Sequence, residues 1–209
     1  MKNLRPFFII YLLFLIVGFV IVACTEKGGF LLFFNTFQSS GLNYIFYGFT
    51  RLVEIPVFLI LSLIFIWNNT KMSVQIGLAG IFSLVISLIL KDIFLQARPI
   101  HFLRSQAVQS FNEVAILAPH EGFTSYPSGH SMAAFALMLT LAIKFNNKWT
   151  SLLMVILAIG GGLSRIYLLN HYLEDVLAGS LIGIYLALLL NKVMSFIKIP
   201  TLKDLLIRN

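Results

Sequence analysis

The sequence predicts an all-α membrane protein, because of its composition and its long apolar segments. Of the 209 residues, 59% are hydrophobic and only 11% are charged, whereas a soluble domain of this length carries roughly 25% charged residues. A transmembrane helix needs about 20 mostly apolar residues, and several stretches of the chain meet that need. Residues 1–209 are therefore expected to form a single membrane-embedded domain.

Six segments are predicted to cross the membrane: 6–24, 48–67, 72–90, 129–143, 150–169 and 176–194. Residues 26–46 contain clumps of phenylalanine and leucine with glycine, asparagine and serine between them. This pattern favours a short interfacial helix followed by a turn over a further span. The predicted architecture is thus a polytopic protein with six transmembrane helices and one interfacial helix.

The positions of lysine and arginine predict the orientation of these spans. One side of the membrane receives Lys2, Arg5, Lys71, Lys144, Lys148, Lys192, Lys198, Lys203 and Arg208. The other side receives Lys27, Arg51, Lys91, Arg98, Arg104 and Arg165. Both termini are therefore expected in the cytoplasm, and the segment 96–127 and the loop near 165–175 are expected outside. The net charge of +7 is scattered and does not indicate a nucleic-acid partner.

The N-terminal segment also allows a second interpretation. Residues 1–24 have a basic start, an apolar core and the sequence IVAC at their end, a pattern similar to a lipoprotein signal that ends in a lipidated cysteine. The apolar run of about 19 residues is longer than a usual signal core, which favours a permanent span. Cys24 is the one cysteine of the sequence, so an intramolecular disulfide is excluded.

Lys91 and Arg98 form the first of three clusters of ionisable residues near the ends of spans. Such groups are energetically expensive at membrane depth and are functional candidates by default. The two residues are seven apart, so on a continuous helix they share one face and can converge on one anion. Pro99 disfavours helix at Arg98 and directs the chain into the next loop. The alternative is a pair of snorkelling cations that end a span.

The second cluster is Pro127-Ser128-Gly129-His130, at the start of the fourth span. A turn here leads into a helix whose first N–H groups have no intrahelical partner and attract anions. Ser128 can cap the helix or donate to a ligand. Gly129 permits close approach of the backbone, and His130 can carry a proton. The alternative is a capped helix with an incidental histidine.

The third cluster contains Arg165, His171 and Asp175. His171 and Asp175 are four residues apart and are predicted to be neighbours on a helix. An aspartate that accepts from one imidazole nitrogen fixes the tautomer and leaves the other nitrogen free to attack. The alternative is an aspartate that caps a helix beside an interfacial histidine.

All three clusters fall on one predicted face of the membrane and supply cations, histidines and a carboxylate. Cations and helix N–H groups bind a phosphate and stabilise the charge of its transition state. One histidine can attack phosphorus while the other protonates the leaving oxygen. The clusters therefore predict phosphoryl transfer. No further carboxylate, cysteine or histidine lies at a metal-ligand spacing, so neither a metal nor another cofactor is expected.

In chain order the clusters read Lys91-x6-Arg98-Pro99, Pro127-Ser128-Gly129-His130 and Ser164-Arg165-x5-His171-x3-Asp175. Their order and spacing resemble all three signature motifs of the type 2 phosphatidic acid phosphatase superfamily. That superfamily includes membrane lipid phosphatases, some soluble acid phosphatases and vanadium haloperoxidases. The soluble haloperoxidase branch is disfavoured, because nearly all of this chain is predicted to lie in the membrane.

The resemblance implies a role for each matching residue. His171 would be the nucleophile that forms a phosphohistidine, Asp175 would orient it, and His130 would be the general acid. The phosphate would be held by Lys91, Arg98, Ser128, Gly129 and Arg165. The resemblance also implies a helical core, a site at the membrane surface and a metal-independent reaction.

The expected function is the hydrolysis of a lipid phosphate or diphosphate at the outer face of the cytoplasmic membrane. Undecaprenyl diphosphate, phosphatidylglycerol phosphate, phosphatidic acid and lipid A phosphates all share the group that the motifs bind. Two alternatives remain: a lipid-to-lipid phosphotransferase that uses the same site, and a non-catalytic lipid-binding or lipid-translocating protein. Oligomeric state is not predicted.

Four charged residues outside the motifs are open to two interpretations each. Arg51 and Glu54, three residues apart near the second span, form either a structural ion pair or part of the site. His120 and Glu121, in the long polar segment, either influence substrate choice or are solvated loop residues.

Overall fold

A computed structural model of the protein describes residues 2–105 and 121–201, and the regular structure in these ranges is helical. A short 3-10 turn, Lys2–Leu4, precedes the first helix. The α-helices are α1 (Arg5–Cys24), α2 (Gly29–Asn35), α3 (Ser40–Arg51), α4 (Ile55–Ile66), α5 (Thr70–Phe94), α6 (Pro99–Ser105), α7 (Gly129–Phe145), α8 (Lys148–Tyr167) and α9 (Leu173–Phe196).

Within residues 2–105 and 121–201, four helical stretches are long and apolar enough to cross a membrane. The bent pair α3 and α4 makes a fifth if it is counted as one span. The α7 helix has 17 residues and is therefore about 25 Å long, somewhat shorter than a hydrocarbon core of roughly 30 Å. The all-α prediction is confirmed, whereas the predicted number of six spans is not.

The region predicted as an interfacial helix and a turn contains two helices, α2 and α3. The α3 helix continues past the predicted start of the second span at residue 48 and ends at Arg51. A break before α4 follows, and the two helix axes differ in direction by 52°. The proline at the second position of α4 cannot donate a hydrogen bond into a preceding turn, so a new helix begins here.

The α7 helix is the most enclosed element of the fold, packed against α5, α8 and α9. Its contact with α9 depends on two glycines four residues apart, Gly179 and Gly183. A β-carbon at Gly179 would collide with the carbonyl oxygen of Ser128, and one at Gly183 with that of Met132. Small residues at this spacing let two membrane helices approach to backbone distance.

The α1 helix covers one side of this core and contacts both α8 and α9. One face of α1 remains exposed, through the apolar side chains of Ile9, Leu12, Leu13, Ile16, Val17, Phe19 and Val20. An apolar surface of this kind fits the acyl chains of a bilayer. At the start of the chain, the Asn3 side chain donates to the Asn146 carbonyl at 2.7 Å. The N-terminus and the α7–α8 connection therefore lie at the same end of the bundle.

Candidate active site

The site lies at the opposite end of the bundle, where α5 ends and α7 begins. Lys91 is in the last turn of α5, but α5 stops at Phe94 because Leu95 adopts a left-handed conformation with φ of 43°. Arg98 is therefore in the connection before α6 and not on the helix that carries Lys91. The prediction of one shared helical face is wrong, and the turn brings the two residues to the same site instead.

Arg98 is buried and joins two loops of the site. Its Nε donates to the Thr124 hydroxyl at 3.1 Å and its Nη1 donates to the Asn170 carbonyl at 3.3 Å. Its backbone N–H also donates to the Gly122 carbonyl at 2.8 Å. These three bonds fix the guanidinium between the segment before α7 and the α8–α9 loop. Neutral oxygens accept all three bonds, so the positive charge of Arg98 is not neutralised by them.

The second motif forms the start of α7, as predicted. Ser128 is the N-cap, and its hydroxyl oxygen accepts from the Ser131 N–H at 3.3 Å. The hydroxyl hydrogen can still donate to a ligand. Gly129 lies against α5, since a β-carbon there would be 2.6 Å from the Ser87 hydroxyl oxygen. His130 follows in the first turn and is half-buried.

The third motif spans the connection between α8 and α9. Arg165 is buried near the end of α8, and His171 lies in the loop before α9. The prediction that His171 and Asp175 share a helix is therefore wrong. The Asp175 carboxylate accepts from the Tyr172 N–H at 2.9 Å, and this capping bond starts α9 just after His171. His171 Nδ1 nevertheless lies 3.4 Å from Asp175 Oδ2. The capping and histidine-orienting interpretations of Asp175 therefore both apply.

Asp175 is fully buried and is held from two further directions. Its Oδ2 accepts a hydrogen bond from the Ser125 hydroxyl at 2.5 Å. Its own backbone carbonyl accepts from the Ser128 N–H at 3.0 Å. The segment before α7 is thus bonded directly to the first turn of α9. Because a buried carboxylate without donors is costly, these bonds stabilise Asp175 beside His171.

The environment of His171 favours its neutral form. Burial is the largest effect and lowers the pKa of His171 well below 6.5, and the charges of Arg98, Arg165 and Lys91 lower this pKa further. A hydrogen bond to the backbone of Ser125 acts in the opposite direction. With Nδ1 facing Asp175, the second ring nitrogen of a neutral imidazole has a lone pair available for attack. The three cations around the ring would attract a phosphate.

A family model described as the PAP2 superfamily matches residues 72–198, more than half of the chain. The chain belongs to the PAP2 superfamily. It is 29% identical over 155 residues to undecaprenyl-diphosphatase BcrC of Bacillus subtilis, covering 73% of this chain and 75% of that protein. It is 30% identical over 158 residues to an undecaprenyl-diphosphatase of Sulfolobus acidocaldarius, and this match covers 74% of this chain and 69% of that protein.

A further relative is a lipid A phosphatase, and two solved structures share the fold. A lipid A 1-phosphatase of Rhizobium johnstonii is 33% identical over 109 residues, or 52% of this chain and 42% of its own length. The crystal structure of Aquifex aeolicus LpxE superposes with a TM-score of 0.67 at 23% identity, covering 79% of this chain and 94% of that one. The crystal structure of a transmembrane PAP2-type phosphatidylglycerolphosphate phosphatase from Bacillus subtilis superposes with a TM-score of 0.66 at 22% sequence identity. The match covers 95% of this chain and 98% of that one. These two structures establish the fold.

Three of the four residues left open by the sequence lie in ion pairs of the described structure. Arg51 Nη1 donates to Glu54 at 2.6 Å on the surface of the α3–α4 corner, and the charge of Glu54 also acts on Arg165. Glu121 pairs with Arg104 of α6. His120 lies outside the described residues.

Three hydroxyl residues near the site were not predicted from the sequence. Thr124 and Ser125 precede the second motif and bond Arg98 and Asp175, while Thr50 of α3 accepts from Arg165. Thr124 and Ser125 lie within a few residues of the second motif in the sequence, and this proximity was a signal that could have identified them. Thr50 lies more than a hundred residues before Arg165, and the sequence pattern carries no signal for that contact.

Proposed function

We propose that this membrane lipid phosphatase removes the terminal phosphate of a lipid diphosphate or lipid phosphate, with His171 as the nucleophile. The observation that carries the proposal is the buried His171–Asp175 pair among three cations whose charges act on the imidazole. In the described structure Arg98 and Arg165 donate to neutral oxygens, and cations oriented in this way attract a phosphate and stabilise the charge of its transition state.

The reaction has two steps that share one site. The free nitrogen of His171 attacks phosphorus, an N–P bond forms, and the bond to the leaving oxygen breaks. His130 gives its proton to that oxygen, and the leaving group is the lipid alcohol or, for a diphosphate, the lipid monophosphate. Water then attacks the phosphohistidine, with His130 accepting a proton, and inorganic phosphate is released. Lys91, Arg98, Arg165, Ser128 and Gly129 hold the phosphate oxygens in both steps.

A polyprenyl diphosphate of the undecaprenyl type is the substrate we propose first. The two relatives that align with about three quarters of this chain both carry the name undecaprenyl-diphosphatase. The lipid A phosphatase match covers about half of the chain. Phosphatidylglycerol phosphate, phosphatidic acid and lipid A phosphates are the substrates to compare.

The site is proposed to face the outside of the cytoplasmic membrane, with both termini inside. Support comes from the opposite end of the bundle, where Asn3 meets Asn146 and where Lys2, Arg5, Lys144 and Lys148 are neighbours in sequence of these two residues. Excess basic residues mark the cytoplasmic side of membrane proteins. At the C-terminus, a fused reporter that works only in the cytoplasm is expected to be active, and one that works only outside the membrane is expected to be inactive. Activity of the external reporter would contradict this orientation.

The proposed function is tested by phosphate release from the four lipid classes with purified protein in detergent. The highest kcat/KM is expected for undecaprenyl diphosphate, and the activity is expected to survive EDTA. Vanadate, which adopts the trigonal-bipyramidal geometry of the transition state, is expected to inhibit. Absence of release from all four lipids would contradict the proposed function. Loss of activity in EDTA that magnesium restores would contradict the metal-free mechanism.

A further inference from the structure

Thr50 of α3 is in direct contact with a phosphate-site arginine. The Arg165 Nη1 donates to the Thr50 hydroxyl oxygen at 2.5 Å. Thr50 is 0% exposed and Arg165 is 2% exposed, so the bond forms away from solvent. Hydrogen bonds that involve a charged group are short and about twice as strong as neutral ones. This contact joins the motif-bearing part of the chain to a helix that lies before residue 72.

The packing of α3 on α8 makes this contact specific. Gly160 of α8 lies under α3, since a β-carbon there would collide with the Phe49 ring. At the end of α8, the Tyr167 ring stacks on Phe46 with centroids 4.3 Å apart. The Tyr167 hydroxyl donates to the Asn43 side chain at 2.7 Å. The α3 helix is thus fixed on both sides of Arg165, and Thr50 has little freedom to move away from it.

The chemistry of the partner matters as much as its position. Thr50 offers a neutral oxygen, so it orients the guanidinium and leaves its positive charge available to an anion. Arg51, the next residue, instead pairs with the carboxylate of Glu54. The Nε of Arg165 is buried and has no hydrogen-bond partner among the described residues. A guanidinium held at Nη1 by Thr50 still has this N–H to donate to a phosphate oxygen.

We propose that Thr50 is a positioning residue of the phosphate site, which holds Arg165 in the orientation that binds the transferred phosphate. The proposal rests on the proposed function and extends it, because it assigns part of the site to α3. Thr50 acts through Arg165 and has no contact with the reacting atoms. Its hydroxyl oxygen is the group that matters, since a β-branched apolar side chain would fill the same space.

The test compares Thr50→Val with Thr50→Ser in full-length protein. Valine keeps the shape of the side chain and removes the acceptor, whereas serine keeps the hydroxyl. Thr50→Val is expected to lower kcat/KM about 10- to 100-fold and to weaken vanadate inhibition by a similar factor. Thr50→Ser is expected to remain within about threefold of wild type in both measurements. Equal losses in the two variants, or no loss in Thr50→Val, would overturn the proposal.

A double-mutant cycle with Arg165→Lys separates positioning from general packing. If Thr50 acts through Arg165, then Thr50→Val has little further effect on vanadate affinity in the Arg165→Lys background. If Thr50 contributes only packing between α3 and α8, the two effects add, and the proposal fails. Vanadate affinity measured by thermal stabilisation does not depend on a lipid substrate. If none of the four lipids releases phosphate but the two substitutions still have non-additive effects on vanadate affinity, the proposed function is overturned and the positioning role of Thr50 stands.

Discussion

The two parts of the chain, residues 2–71 and residues 72–198, contribute to the site in different ways. The second part contains the motifs, and its polar residues are buried in a network around Asp175. The first part presents exposed apolar faces to the membrane and contributes the Thr50 hydroxyl, which contacts Arg165. The proposed catalytic and phosphate-binding side chains are therefore concentrated in the second part, while the first part positions Arg165 through Thr50. Substitutions in the two parts should differ in kind as well as in size.

The largest effect is expected at the centre of the motif-bearing part. His171→Ala removes the proposed nucleophile and is expected to lower kcat by roughly 10⁴-fold or more. The measurement is single-turnover phosphate release, with thermal unfolding to confirm that the variant is folded. His101→Ala is the matched control, because His101 packs edge-to-face against Phe123 and lies outside the proposed machinery. Substantial activity in His171→Ala would contradict the assignment of the nucleophile.

Ser125→Ala tests whether the network around Asp175 is needed for catalysis. The change removes a 2.5 Å bond to a buried carboxylate, and kcat/KM is expected to fall about 10- to 100-fold. The control is Ser195→Ala at the far end of α9, where the exposed hydroxyl donates only to the Lys192 carbonyl among its described contacts. If both variants keep wild-type kcat/KM, the bond from Ser125 does not support Asp175.

A pair of glycine substitutions compares the two parts by stability. Gly179→Ala places a methyl group against the Ser128 carbonyl, and overpacking of this kind costs about 1–3 kcal/mol. Gly48→Ala, on α3, meets nothing within 4 Å, and a helical glycine replaced by alanine gains up to about 1 kcal/mol. The midpoint of thermal unfolding in detergent should fall for the first variant and stay or rise for the second. A fall of equal size in both would contradict the close α7–α9 packing.

The sequence predicted which residues lie close together far better than it predicted their local geometry. The three motifs come together at one end of the bundle, where the charges of Lys91, Arg98 and Arg165 act on His171; that these residues bind phosphate remains a prediction. The geometry differs because local backbone effects override helical periodicity. A left-handed Leu95 ends α5 before Arg98, and the capping bond to Asp175 starts α9 after His171.

The fold of the first part was predicted less well, for a physical reason. Hydropathy identifies apolar segments but does not report where a helix bends. The prediction therefore divided the residues of α3 between an interfacial helix and the second span. The contact between Thr50 and Arg165 depends on how α3 crosses α8, and the glycine at position 160 that permits this crossing is unremarkable in an apolar helix. Contacts between distant segments leave no periodic trace in one sequence.

The pH dependence of kcat/KM provides a finer test of the motif-bearing part. The pKa of His171 is well below 6.5, through burial and three neighbouring cations. Because a lowered pKa keeps the imidazole neutral as the pH falls, protonation of the nucleophile should reduce activity only well below pH 6.5. The measurement is a pH profile of kcat/KM, corrected for the ionisation of the lipid phosphate titrated alone. An acid limb with a midpoint at or above 6.5 that belongs to the enzyme would contradict this environment.

The smallest effect is expected at the surface of the α3–α4 corner, next to the residue that we place in the site. Arg51→Gln and Glu54→Gln each break the 2.6 Å ion pair, but exposed pairs are screened by solvent and contribute little. Both variants are expected to stay within about twofold of wild type in kcat/KM. Comparison with Thr50→Val shows whether the Thr50 hydroxyl alone, or also the charges of Arg51 and Glu54, act on Arg165. A loss in Arg51→Gln as large as that in Thr50→Val would mean that the charge of the corner, and not the Thr50 hydroxyl alone, positions the arginine.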